Sequence, residues 1–359
     1  MKNRNFFVHA SSLTALGGIA AALLLAPGCL FGQSIQAVKI TPLGSKTGEF
    51  CFWDRAMVLE DPTGVRLLYD PGTTVAGSTD PRLGSIDVAL LSHVHSDHIG
   101  DAKLNQDPDA TDAKCDPSVP TAPVVPNSNL AEIVGAKRAA FVGAGGIASF
   151  LTSRIAGLGG VCGGNPFSSA PIVAPPPAPC ISPLFFGGKR IVKRAGAESG
   201  VQISVVTAKH HNGIPPTLLS DPLKTDLGLQ GLTPEAGEPV GYVVKFTNGL
   251  TVYLSGDTGQ TTDMSTVIRE QYKADLAIIN IGDAFTTGPE EAAFAMNNLV
   301  RPKSVIPSHA NEVATSGGKV NPGSRTAQFL GLIEMPGYVP LSGRTMQFDS
   351  QGHCVAGCM

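Results

Sequence analysis

The sequence predicts a layered α/β sandwich, and three observations point there. Short apolar runs rich in β-branched residues recur along the chain and alternate with a few helical stretches, in two halves of strands followed by helices. Glycine and proline are abundant, 42 and 28 of 359 residues, and only 15% of residues are charged. That composition breaks helices and disfavours a helical bundle or coiled coil. Hydrophobic residues make up 42% and the net charge is -3, which excludes a disordered chain. The scarcity of lysine and arginine leaves no basic footprint for nucleic acid.

The first 32 residues stand apart from this pattern. Lys2 and Arg4 precede an uncharged, apolar stretch over 13–27, shorter than the roughly 20 residues of a membrane span. We read 1–32 as an export signal and 33–359 as one domain, periplasmic or secreted, with no stable membrane span once the signal is removed. Ala26-Pro27-Gly28-Cys29 is a degenerate lipoprotein box, so lipid attachment through Cys29 competes with cleavage near Gly32 or Ala37. Six cysteines lie beyond the signal: Cys51, Cys115, Cys162, Cys180, Cys354 and Cys358. An even count suits an oxidising compartment. Fifteen connectivities are open to six cysteines. Nearness in sequence favours Cys162 with Cys180 and Cys354 with Cys358, which leaves Cys51 for Cys115. None sits in a CxxC pair or beside a histidine cluster, so disulfides are favoured over a thiolate metal site.

Taken in chain order, strands are expected over 38–43, 56–60 and 65–70, with glycine, proline and threonine turns between them. Residues 87–92 (DVALLS) read as a buried strand, and 201–207 alternates valine or isoleucine with polar residues. Runs 240–246 and 250–255 bracket Thr247-Asn248-Gly249, whose Asn-Gly pair signals a hairpin. Residues 275–281 form another buried strand and 304–306 a short one. Helices are expected over 129–134, after an asparagine cap, and within 260–273. Thr287-Gly288-Pro289-Glu290 reads as a capping box leading into a helix over 291–299. Three stretches read as loop insertions, 101–126, 157–188 and 212–238, and long loops of this kind often wall an active site.

The chemistry concentrates in Leu91-Ser92-His93-Val94-His95-Ser96-Asp97-His98, which places four ligand-type side chains in six residues just after a buried strand. Side chains two apart on extended backbone share a face, so His93 and His95 point together. A turn into a helix then aims Asp97 and His98 at the same hollow. Four ligands on one short loop cannot all reach one tetrahedral ion, but they can serve two neighbouring ions. The remaining ligands must come from other strand ends. Three such ends carry ligand types: His210-His211 after 201–207, Asp257 in Ser255-Gly256-Asp257-Thr258-Gly259, and His309 after Ile306-Pro307-Ser308.

This ordered set resembles the metallo-β-lactamase superfamily, and within it the branch of metal-dependent hydrolases similar to ascorbate-phosphate lactonase. Further stretches share the likeness: Pro42-Leu43-Gly44, Leu67-Leu68-Tyr69-Asp70-Pro71, Ile281-Gly282-Asp283-Ala284-Phe285-Thr286 with Pro289-Glu290-Glu291-Ala292, and Val305-Ile306-Pro307-Ser308-His309. The resemblance implies a four-layer αββα sandwich with the metals at one edge of the two sheets. It implies that His93, His95 and His210 hold one ion, that Asp97, His98 and His309 hold the other, and that Asp257 bridges them. Asp70 would stand behind the ligands and orient the histidines by hydrogen bond. The doublet leaves His211 as the rival to His210, which fits the family's spacing after the strand.

The expected activity is that of an exported dinuclear hydrolase, in which a water shared by two cations attacks an ester, lactone, amide or phosphodiester. Asp97 is the expected proton acceptor. Imidazole and carboxylate ligands suit two divalent ions, zinc first, with manganese or iron as alternatives. An iron-dependent oxidoreductase on the same fold and a β-lactam-hydrolysing enzyme are the competing readings. The partner is a small-molecule substrate. Lys209 is the nearest basic residue to the motifs, which argues against a multiply phosphorylated one. Asn212, Thr286, Ser308 and Asn311 are candidate polar contacts beside the ligands. No sequence feature reports the oligomeric state.

Overall fold

The computed structural model describes residues 36–359, so the expected export signal, with Cys29 and its lipoprotein box, lies outside the described residues. Two sheets stack face to face. The first has eight strands, in the order Cys354–Ala356, Met346–Phe348, Val38–Pro42, Met57–Glu60, Arg66–Tyr69, Val88–Leu90, Ala140–Ala144 and Cys180–Leu184. The second has seven, in the order Ser304–Ser308, Leu276–Asn280, Thr251–Leu254, Val240–Lys245, Val201–Thr207, Lys189–Arg194 and Ile172–Ala174.

Strand alternation builds the layers. Successive side chains of a strand point to opposite faces. Leu59, Leu67 and Tyr69 of the first sheet therefore meet Ile203, Tyr242, Val252 and Ile278 of the second in one central core. The residues between them face outward. Val58 and Leu68 pack with Leu83 and Ile133 on the outside of the first sheet. Val243, Tyr253, Ala277 and Ile279 pack against Met264, Ile268, Met296 and Phe329 on the outside of the second. Those last four residues belong to the helical segments Met264–Tyr272, Ala295–Val300 and Arg325–Leu332. The result is the αββα sandwich. The hairpin signalled by Asn248-Gly249 joins Val240–Lys245 to Thr251–Leu254, with Gly249 at φ 103°.

Several local expectations are corrected. The helix Asn129–Lys137 is capped by the Ser128 hydroxyl, which accepts from the Ala131 N–H, and not by an asparagine. Thr287 makes no capping box. Its hydroxyl donates to the Asn280 carbonyl at 2.9 Å, and the helix Pro289–Phe294 starts from Gly288 with no side-chain cap. The stretch 157–188 is not a pure loop: Ile172–Ala174 and Cys180–Leu184 each complete the edge of a main sheet. Short strands framed by prolines carry too little periodicity to stand out in the sequence. The stretch 101–126 folds a small hairpin from Ala102–Leu104 and Thr121–Pro123, and 212–238 contains the helix Asp221–Leu229. Three disulfides join Cys51 to Cys115, Cys162 to Cys180 and Cys354 to Cys358, the pairing expected from the sequence. No helix among the described residues is long and apolar enough to cross a membrane.

Candidate metal centre

Four strand ends supply the candidate ligands. Val88–Leu90 runs into His93 and His95, Val201–Thr207 into His210, Thr251–Leu254 into Asp257 and Ser304–Ser308 into His309. The short helix Ser96–Ile99 carries Asp97 and His98. Side chains and backbone fix each turn. Asp70 accepts from the Ser92 N–H at 2.8 Å and the Ser92 hydroxyl at 2.7 Å, and Asn212 accepts from the Val94 N–H at 2.8 Å. Gly256, before Asp257, has φ 62°, and a Cβ there would lie 2.8 Å from Ser92 Cβ. Its N–H donates to the Tyr69 hydroxyl at 3.0 Å, which ties the second sheet to the first. Asn280 braces the same turn through Ser255 at 3.1 Å and the Thr258 carbonyl at 3.1 Å.

The seven candidate ligands converge into three overlapping groups. Those groups are His93, His95 and His210; His93, His98 and Asp257; and Asp97, His98 and His309, with ligand atoms in each group within 4.8 Å of one another. Asp257 Oδ2 lies centrally, 3.0 Å from His309 Nε2, 3.4 Å from His98 Nε2, 3.7 Å from His210 Nε2 and 3.9 Å from His93 Nε2. Asp97 Oδ2 lies 3.3 Å from His309 Nε2 and 3.6 Å from His98 Nε2. Asp70 sits behind, with Oδ2 2.8 Å from His98 Nδ1. The doublet separates: His210 faces the cluster, whereas His211 is exposed and pairs with Glu235 at 3.1 Å.

The electrostatics suit a cation. Burial, reinforced by the charge of His98, holds His93 well below the usual imidazole range. Burial and the neighbouring His210 pull His95 down to about 4, and burial also lowers His210. Burial alone would raise Asp97, but His98, His309 and Arg55 outweigh it and keep the carboxyl well below its usual range. The same balance, through His309 and His98, keeps Asp257 ionised. Burial opposes a charge on His98, yet Asp257, Asp97 and Asp70 together push it well above the usual range. Neutral imidazoles and ionised carboxylates are the donor state that a metal requires, and the field that draws a proton to His98 draws a cation equally.

The buried polar atoms give a second test of fit. His93 Nε2, His98 Nε2 and Asp257 Oδ1 are buried without a hydrogen-bond partner among the described residues. A buried polar atom left unpaired costs roughly 1–3 kcal/mol, and three clustered on one hollow fit a site built to hold cations.

Two arginines at the site were not legible in the sequence. Arg55 is 2% exposed, and its Nε donates to Asp97 Oδ2 at 3.1 Å while Nη2 donates to Asn311 Oδ1 at 2.6 Å. Arg325 lines the cavity above the cluster. The candidate polar contacts sort differently from one another. Asn212 is fully buried, bonded to Val94 and the Gly237 carbonyl, and Thr286 bonds the Thr287 carbonyl. Asn311 alone of the four lines that cavity.

Comparison with known proteins agrees with this geometry. A family model described as a beta-lactamase superfamily domain matches residues 51–309. The UPF0173 metal-dependent hydrolase of Myxococcus xanthus is 30% identical over 317 residues, covering 86% of this chain and 86% of the relative. That of Cupriavidus necator is 30% identical over 274 residues, 75% of each chain, and that of Polynucleobacter asymbioticus 28% over 304, 82% of this chain and 84% of the relative. The solved structure of Igni18, described as a metallo hydrolase of Ignicoccus hospitalis, shares the fold with a TM-score of 0.51 and 22% identity, over 87% of this chain and 99% of its own. The chain belongs to the beta-lactamase superfamily, among its metal-dependent hydrolases.

Proposed function

We propose that the protein is a dinuclear hydrolase of small-molecule esters, lactones, amides or phosphodiesters, acting outside the cytoplasm. The observation that carries this reading is the convergence of seven ligand-type side chains from four strand ends, with buried donor atoms left unpaired. His93, His95 and His210 would hold one ion, Asp97, His98 and His309 the other, and Asp257 both. Zinc fits such donors, as do manganese and iron. Bound there, two divalent ions supply an acidified water and Lewis acidity.

The chain's own groups do the rest. Asp70 holds His98 Nδ1 and so presents Nε2 to the centre. Arg55 pins Asp97 through Oδ2, and Oδ1, which has no hydrogen bond among the described residues, is the atom that accepts a proton from the attacking water. Three disulfides and the signal-like sequence of 1–32 support export.

Elemental analysis of the mature protein, coupled to a panel of esters, lactones, amides and phosphodiesters, tests this reading. We expect bound first-row metal and turnover that a chelator abolishes. Turnover that survives complete metal removal contradicts the reading.

A further inference from the structure

The cavity above the ligand cluster has a volume of about 970 Å³, and its walls differ in chemistry from its floor. The floor is imidazole and carboxylate. The walls are largely apolar. Phe52, Trp53 and Val119 form one side, where the Cys51–Cys115 disulfide and a 3.3 Å hydrogen bond from Trp53 Nε1 to the Pro117 carbonyl join two segments. Ile214, Pro215 and Phe285 line the cavity from two other loops. Such walls accept a hydrocarbon chain.

One feature of the lining does not suit a purely apolar ligand. Among the described residues Arg325 is the single arginine or lysine that lines this cavity. It is partly buried, and its one side-chain hydrogen bond among the described residues runs from Nη1 to the Asn311 carbonyl at 3.3 Å. No carboxylate among the described residues pairs with its guanidinium. Glu312, close in sequence, is engaged by the Arg325 and Thr326 N–H groups, both at 2.9 Å, and by the Thr326 hydroxyl at 3.0 Å. The two acidic residues of the cavity outside the ligand cluster are also engaged. Asp101 accepts from Ser96 at 3.0 Å and Thr217 at 2.8 Å, and Asp283 accepts from the Ala284 N–H at 2.8 Å. A guanidinium is always charged, and its planar fork matches a carboxylate.

We propose that the cavity binds an amphiphilic substrate whose free carboxylate pairs with Arg325, whose apolar chain lies against Trp53 and Ile214, and whose scissile bond lies over the ligand cluster. The bond cleaved rests on the hydrolase reading above; the binding mode does not. For an ester, the acyl C–O bond breaks, the acyl carbon gains the hydroxyl of water, and the departing oxygen takes the proton.

Trp53 is the single tryptophan of the chain, so its fluorescence reports occupancy of this cavity without reference to turnover. Metal-loaded protein is titrated with matched monomethyl and dimethyl esters of succinate, adipate, suberate and sebacate. Within at least one pair, the monomethyl ester should bind about ten-fold tighter or more, the worth of one charge-assisted pair. Arg325→Met should abolish that preference and leave dimethyl ester binding unchanged, which also shows that the variant folds. Arg325→Lys should restore part of the preference. Equal binding within every pair overturns the proposal, and so does no binding of any ester. A preference that survives in Arg325→Met places the carboxylate elsewhere and overturns it too. Ester cleavage is followed in the same samples. A preference that depends on Arg325 without cleavage counts against the hydrolase reading and leaves the binding assignment standing.

Discussion

The two proposed ligand triads are made of different materials. His93, His95 and His210 are all imidazoles, and the last two are partly open to the cavity. Their neighbours are weakly polar: the Ser92 hydroxyl lies 3.0 Å from His93 Nδ1, and His211 lies 3.4 Å from His95. Asp97, His98 and His309 include a carboxylate, and charged residues lock this group from behind, Asp70 on His98 and Arg55 on Asp97. Asp257 is shared by both. One side is therefore close to neutral, while the other carries charge and is pinned by Asp70 and Arg55. On the two-ion reading proposed above, the two ions should not be held alike.

The largest expected effect falls on the residue common to both sides. Asp257→Ala should cut metal affinity beyond roughly 100-fold, the upper figure for an outer-shell partner, and remove activity with it. Elemental analysis with a hydrolysis assay checks this, and full metal content with full activity would remove Asp257 from the shared position. Next comes Asp70→Asn. Asp70 bonds His98 directly and reaches the neutral side only through the Ser92 hydroxyl beside His93. We expect a loss of about 10–100-fold in affinity for the ion on the charged side and a smaller loss for the other, read by chelator titration. Equal weakening of both ions would show that the two sides are not independent.

Arg55→Met should act more mildly. It leaves Asp97 and Asn311 without their donor, a cost of about 1–3 kcal/mol in urea denaturation. The cost should be smaller in metal-loaded protein, because a cation held by Asp97 replaces the lost charge. The same loss with and without chelator would detach Arg55 from the centre. The smallest effect belongs to His211→Ala. His211 is exposed and paired with Glu235, so metal content should stay at the wild-type level, whereas His210→Ala should lower it.

The ligands of both sides were legible in the sequence, and several of the residues that support them were not. His93, His95, Asp97 and His98 stand out because one loop after a buried strand carries all four. Asp257 and His309 stand out because each follows an apolar run that ends in a turn. The layers were legible for the same reason, since period-two runs such as 201–207 reveal which face each side chain takes. Arg55 was not legible. A lone arginine before a strand has no periodicity to betray it, and its partner Asn311 lies 256 residues away. Arg325 and the bracing Asn280 were hidden likewise, because only tertiary packing brings them to the cavity and the Asp257 turn. Residue type could not separate His210 from His211; the spacing after Thr207 favoured His210, the one that faces the cluster.

The proposed centre holds two ions through a shared Asp257. Its most direct test is the metal stoichiometry of the folded protein beside that of Asp257→Ala. We expect two divalent ions per chain in the wild type and fewer in the variant. One ion per chain in the folded wild type, or two in Asp257→Ala, would contradict it.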